Sequence, residues 1–222
     1  MSPLVQVSEL QFVTPEGKKI LEDVTLRVNH GELVFLVGPP SSGKSLILRL
    51  LYHELRPQRG QILVDDRNVT RLHPRKLFAF RRRLGIVPQE LVLPRRTVRD
   101  TLAFKLGSLG FSPDDITSMV DEILETVKLR AVADTLISEL DLAQQRLWAL
   151  ALAACHSPVL LLVDEPFAGL EYKDAQKVLE GLQSIHERKR VAMLVATRER
   201  GWAVRSGARI VYLQAGRTHE AL

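Results

Sequence analysis

The sequence predicts an α/β protein: a parallel-sheet nucleotide-binding core with an antiparallel β segment at its front and an all-helical insertion. Three observations predict it. The apolar run Leu33–Val37 leads into Gly38-Pro39-Pro40-Ser41-Ser42-Gly43-Lys44-Ser45 and then into the helical spacing of Leu46, Ile47, Leu50 and Leu51, which reads as strand, glycine-bounded loop and helix. A second apolar run, residues 159–163, ends in Asp164-Glu165. Between the two, from Thr97 to Cys155, the hydrophobic period turns helical and stays so.

The elements follow in order. Two strand-like stretches, residues 4–13 and 20–28, are split by the turn formers Pro15-Glu16-Gly17. After the loop and its helix come a turn at 57–60, a strand at 61–64, a further turn at 65–68 and a basic helix starting at Pro74. Residues 84–87 read as a buried strand ending at Pro88-Gln89. Within 113–129, Ile116, Met119, Val120, Ile123, Leu124 and Val127 keep helical spacing behind the start signals Pro113 and Asp114. A helix over 172–187 and strands at 159–163, 191–196 and 209–213 complete the core. The reading is one domain over 1–222, with the helical part inserted at about 90–156.

Composition narrows the class. The 31 Lys and Arg against 26 Asp and Glu give a net charge of +5, which suits a nucleotide, nucleic acid or an anionic membrane surface as partner. Cys155 is the only cysteine, so no internal disulfide is expected, and its apolar neighbours predict a buried, inert thiol. The longest apolar runs, 147–155 and 159–163, fall short of the ~20 residues that span a bilayer. With no signal-peptide pattern at the N-terminus, the chain is expected to be soluble and to reach a membrane through a partner. Six histidines are scattered without ligand spacing.

Two constellations carry chemistry. Gly38 to Ser45 fits G-x-x-x-x-G-K-[ST], in which loop N–H groups and the positive helix end converge on a polyphosphate. Lys44 is expected to reach the terminal phosphates and Ser45 to offer its hydroxyl to Mg²⁺. An acidic pair at the tip of an apolar strand stands where ligands bind in open parallel sheets. Asp164 is expected to hold Mg²⁺ beside Ser45, and Glu165 to polarise the water that attacks the terminal phosphate of ATP.

The order of Gly38 to Ser45, Gln89, Leu140-Asp141-Leu142-Ala143-Gln144, Asp164-Glu165-Pro166, Gly169-Leu170-Glu171 and Ala196-Thr197-Arg198 resembles an ABC-transporter ATPase subunit over nearly the whole chain. Residues 80–89 and Arg96-Thr97-Val98 look most like the FtsE cell-division branch, with lipoprotein-release and macrolide-export ATPases close by. The resemblance implies two subunits that sandwich two ATP molecules head to tail, as a homodimer or an ABC heterodimer. It also implies an FtsX-like integral membrane subunit as partner and peripheral residence at the cytoplasmic face of a bacterial plasma membrane. Gln89 matches the lid glutamine that touches Mg²⁺ and the attacking water. Phe12 aligns with the aromatic that stacks on adenine, though its place also suits a core phenylalanine. DNA-associated relatives carry long coiled-coil insertions and no sustained heptad pattern occurs here, so nucleic acid is not an expected partner.

Departures from the family pattern qualify these expectations. Leu140-Asp141-Leu142-Ala143-Gln144 stands where the family has Leu-Ser-Gly-Gly-Gln, setting a carboxylate and a bulky side chain toward a partner's γ-phosphate. Arg198 replaces the histidine that contacts the γ-phosphate; it can neutralise charge but cannot accept a proton. Ser41 replaces a loop glycine, Leu46 a threonine that meets the α-phosphate, and Glu171 an aspartate. The expectation is therefore Mg-ATP binding with slow or partner-dependent hydrolysis. A nucleotide-sensing scaffold is the alternative.

Overall fold

The structure is a computed structural model and describes residues 2–220. Strands β1 (Val5–Val13) and β2 (Lys19–Val28) form an antiparallel pair through a turn that carries Gly17 at φ 84°. β3 (Leu33–Val37) is buried at every position, the continuous apolar pattern of a parallel strand covered on both faces. It enters the phosphate loop and α1 (Lys44–Leu51). β4 (Arg59–Val64) and β5 (Arg67–Asn68) come next, then α2 (Pro74–Arg81) and β6 (Leu84–Val87). The helical insertion holds α3 (Val98–Ser108), α4 (Pro113–Thr126) and α5 (Leu142–Ala154). The chain returns through β7 (Leu160–Asp164), α6 (Tyr172–Lys189), β8 (Ala192–Thr197), α7 (Arg200–Ser206), β9 (Arg209–Gln214) and β10 (Arg217–Glu220).

Ten strands form one curled sheet in the order β5-β4-β1-β2-β10-β9-β3-β8-β7-β6. β9, β3, β8, β7 and β6 are mutually parallel, while β1, β2, β4 and β5 pair antiparallel. Alternation along the parallel strands splits the core in two. Phe35, Leu161, Val163, Met193 and Val195 face a cluster continuous with α3 to α7. Val34, Leu36, Leu160, Leu162 and Leu194 face the opposite cluster, shared with α1, β1, β2 and Phe80. The helical insertion thus packs into the same apolar layer as one face of the sheet.

The structure adjusts several sequence boundaries. The expected turn at 65–68 is a hairpin: Asp65 and Asp66 both take positive φ, as a two-residue loop of primed type requires, and Arg67–Asn68 pairs back onto β4. The strand expected to begin at residue 61 begins at Arg59. The sequence pattern does not predict α7 or β10. α7 buries only Trp202 and Ala203, and β10 is polar and held through backbone pairing with β9 and β2, so neither carries a hydrophobic period. Among the described residues no helix is long and apolar enough to cross a membrane.

Candidate functional site

Strand register assembles the site. Val37 pairs with Thr197, Asp164 with Ala196, and Val87 with Val163, so the carboxyl ends of β3, β8, β7 and β6 lie side by side. The residues just past those ends are Gly38, Arg198, Glu165 and Pro88-Gln89. Four separate chain segments therefore deliver their polar groups to one crevice, at the open end of the parallel sheet where ligands bind.

The loop is shaped by backbone needs. A Cβ on Gly38 would come within 2.4 Å of the Leu213 carbonyl oxygen and 2.8 Å of Ser42 Oγ, so only glycine fits. Gly43 caps α1 at φ 101° and lies against Leu21. Ser41 takes φ 59°, a left-handed conformation that costs a side-chain-bearing residue about 1 kcal/mol.

Lys44 is 5% exposed. Its Nζ donates to the carbonyls of Gly38 at 2.9 Å and Pro39 at 3.0 Å and lies 3.3 Å from Glu165 Oε1. The other Glu165 oxygen accepts from the Arg198 backbone N–H at 3.1 Å. Glu165 itself sits at φ 45°, held by its N–H to the Ala196 carbonyl at 2.8 Å. A buried carboxylate on a strained backbone, tied to the loop lysine, is a preorganised group at the crevice floor.

Two clefts open onto this centre. One of about 510 Å³ is lined by residues 40–46 together with Arg49, Gln89, Glu165, Ala168 and Arg198. A second of about 360 Å³ reaches Asp164 and shares Ser45, Arg49 and Gln89 with the first. Burial, joined by the charge of Glu165, pushes the Asp164 carboxyl above the usual carboxylate range, against the pull of the Ser45 hydroxyl and Lys44. At the rim, Tyr52 donates to Glu54, which also pairs with Arg49 at 2.7 Å, and burial with this carboxylate pushes the phenol up to about 12.

The fit to a nucleotide and its ion can be tested on two buried polar atoms without hydrogen-bond partners, Ser42 Oγ and Asp164 Oδ1. Each is a group that costs free energy unless something meets it. The first lies within the phosphate loop and the second beside Ser45, an oxygen set suited to a hard divalent cation that takes its remaining ligands from phosphate and water. The residues present fit Mg²⁺ and a polyphosphate.

Of the residues singled out in the sequence, Pro40 to Leu46, Gln89, Glu165 and Arg198 line one cleft, with Gly38, Pro39 and Asp164 adjoining it. Phe12 lines neither. It is half-buried on β1 opposite Leu21 and packs against the core. The segment 140–144 stands apart: Asp141 caps α5 in a capping box with Gln144, and Leu142 is 41% exposed. Two residues escaped sequence reasoning. Arg49 lies one helical turn past Ser45, a spacing that could have revealed it. Arg146 is buried and donates to the Gln89 carbonyl at 2.7 Å; a lone charge at the head of an apolar helix was the available signal.

A phosphate loop on β3 faced by an acidic pair on β7 defines a P-loop nucleotide-binding domain. The chain belongs to the ABC transporter family, whose pattern matches residues 21–168. The cell division ATP-binding protein FtsE of Mycobacterium tuberculosis is 35% identical over 213 residues, covering 94% of this chain and 92% of that protein. The sulfate/thiosulfate import ATP-binding protein CysA of Synechococcus elongatus is 32% identical, covering 97% of this chain but 61% of that one. A dimeric ATP-binding cassette in a post-hydrolysis state, bound to ADP and Pi, superposes with a TM-score of 0.84 at 25% identity, covering 97% of this chain and 98% of its own. The chain is an ABC-type ATP-binding subunit of FtsE-like sequence.

Proposed function

We propose that this chain binds Mg-ATP and couples its nucleotide state to an FtsX-like membrane subunit in bacterial cell division, hydrolysing ATP slowly or on partner engagement. The observation that carries the reading is the convergence of Lys44, Glu165, Gln89, Ser45 and Asp164 at the tips of the parallel strands β6 and β7 and the head of α1. The FtsE relative supports the division setting, because it is 35% identical to this chain over 213 residues.

Each residue has a part that its surroundings support. Loop N–H groups and Lys44 hold the phosphates, with the ammonium exchanging its loop carbonyls for phosphate oxygens. Glu165, fixed by Lys44 and the Arg198 N–H, orients the attacking water and takes its proton. The exposed Arg198 guanidinium stands at the mouth of the same cleft and stabilises charge on the terminal phosphate. Ser45, Gln89 and Asp164 would hold Mg²⁺, which supplies charge neutralisation of the phosphates when bound. A groove of about 480 Å³ between the Gln89 loop and the insertion, lined by Val92, Phe104, Trp148 and Leu152, supports a membrane subunit as partner: Val92 is 87% and Phe104 63% exposed. The dimeric neighbour supports a dimer as the working form.

A nucleotide-sensing scaffold is the second reading, favoured by Asp141. Its carboxylate occupies the head of α5, where a partner's γ-phosphate would meet repulsion. Turnover by purified protein, alone and with membranes carrying the co-purifying membrane subunit, separates the two beside Glu165→Gln. The proposal expects turnover that falls at least about a hundredfold in the variant while ATP binding persists. Turnover unaffected by Glu165→Gln would contradict it, and binding without turnover in either setting would favour the scaffold.

A further inference from the structure

Arg146 is the only charged residue of α5 and is 8% exposed. Burial lowers the guanidinium pKa with no carboxylate offsetting it. Its Nε is buried without a partner, and among the described residues its one side-chain hydrogen bond runs from Nη1 to the Gln89 carbonyl at 2.7 Å. As a stability element this is a poor choice, because a buried guanidinium without a carboxylate is costlier than an apolar side chain of similar length. What the arrangement does achieve is local. Gln89 lies past β6 in a loop whose side chains are exposed, it lines both clefts, and its backbone is anchored by a residue on the second turn of the helix that Asp141 begins.

We infer that Arg146 is a positioning residue: it holds the Gln89 backbone so that the Gln89 side chain meets the ion and phosphate end of the cleft, and it ties that glutamine to α5. The inference rests on the Mg-ATP reading above. It assigns Arg146 to the ion-dependent part of nucleotide affinity, with no contact of its own to the nucleotide.

The test is ATP affinity, measured with Mg²⁺ and with EDTA, for the wild-type chain, Arg146→Met, Arg146→Lys, Gln89→Ala and the Arg146→Met/Gln89→Ala double variant. Arg146→Met should weaken Mg-ATP binding about tenfold, the lower end of losses from removing a residue that orients a ligand. Its affinity in EDTA should stay within about twofold of wild type, and Arg146→Lys should recover part of the loss. The double variant should bind no more weakly than Gln89→Ala alone, because both changes act through one glutamine. Equal losses with and without Mg²⁺, additive losses in the double variant, or unchanged binding would overturn the inference while leaving the nucleotide reading intact. Unfolding of both Arg146 variants would make the residue purely structural and overturn it too. A wild-type chain that binds no ATP would overturn both readings.

Discussion

Asp164 carries a local electrostatic cost at the crevice. Its carboxyl is half-buried, one oxygen has no partner, and burial raises its pKa above the ordinary 3.8. A raised folded pKa contributes stability below the unfolded value, and that contribution is lost as pH rises through the folded value. At pH 7 the ionised carboxylate is therefore a net cost. Asp164→Asn should be more stable than wild type at pH 7, and the gap should close as pH falls into the carboxylate range. Urea unfolding at pH 7 and in that range measures it. Added Mg²⁺ with ATP should reverse the order, stabilising wild type and not the variant. The strained backbones of Ser41 and Glu165 lie in the same crevice, so three local costs gather at the candidate site.

At the scale of elements, α5 explains why an aspartate can stand at its head. Asp141 accepts from the Gln144 N–H at 2.8 Å while Gln144 Oε1 accepts from the Asp141 N–H at 3.1 Å, so the helix start is satisfied locally. Asp141→Ala should destabilise the protein by about 1 kcal/mol, whereas Asp141→Ser should stay within a few tenths, as thermal unfolding would show. The capping pattern Asp-x-x-Gln was present in the sequence and would have placed the helix start at Leu142. β3 and β7 were legible because apolar runs bounded by glycine or acid leave little choice of state. β10 was not, since Arg217-Thr218-His219-Glu220 has no apolar member and owes its strand to pairing with β9. The hairpin turn Ala215-Gly216, with φ 49° and 72°, was the only local sign of it.

Over the whole molecule, the site is a product of topology: four parallel strands end together, and the residues immediately past their ends line the crevice. Motif residues at those ends could be read from the chain, because each lies at a fixed offset from an apolar run. Arg49 and Arg146 could not be assigned the same way, since the first acts from a helix face and the second from inside the core. The departures at Asp141 and Arg198 lie in separate places, α5 and the cleft mouth, while Lys44 keeps its pairing with Glu165. The central claim is that the cluster around Lys44 and Glu165 binds Mg-ATP. Titration of ATP into purified wild-type protein and Lys44→Ala, with Mg²⁺ present, tests it most directly. The account predicts saturable binding by wild type that Lys44→Ala weakens at least about tenfold; absent binding, or binding indifferent to Lys44, would contradict it.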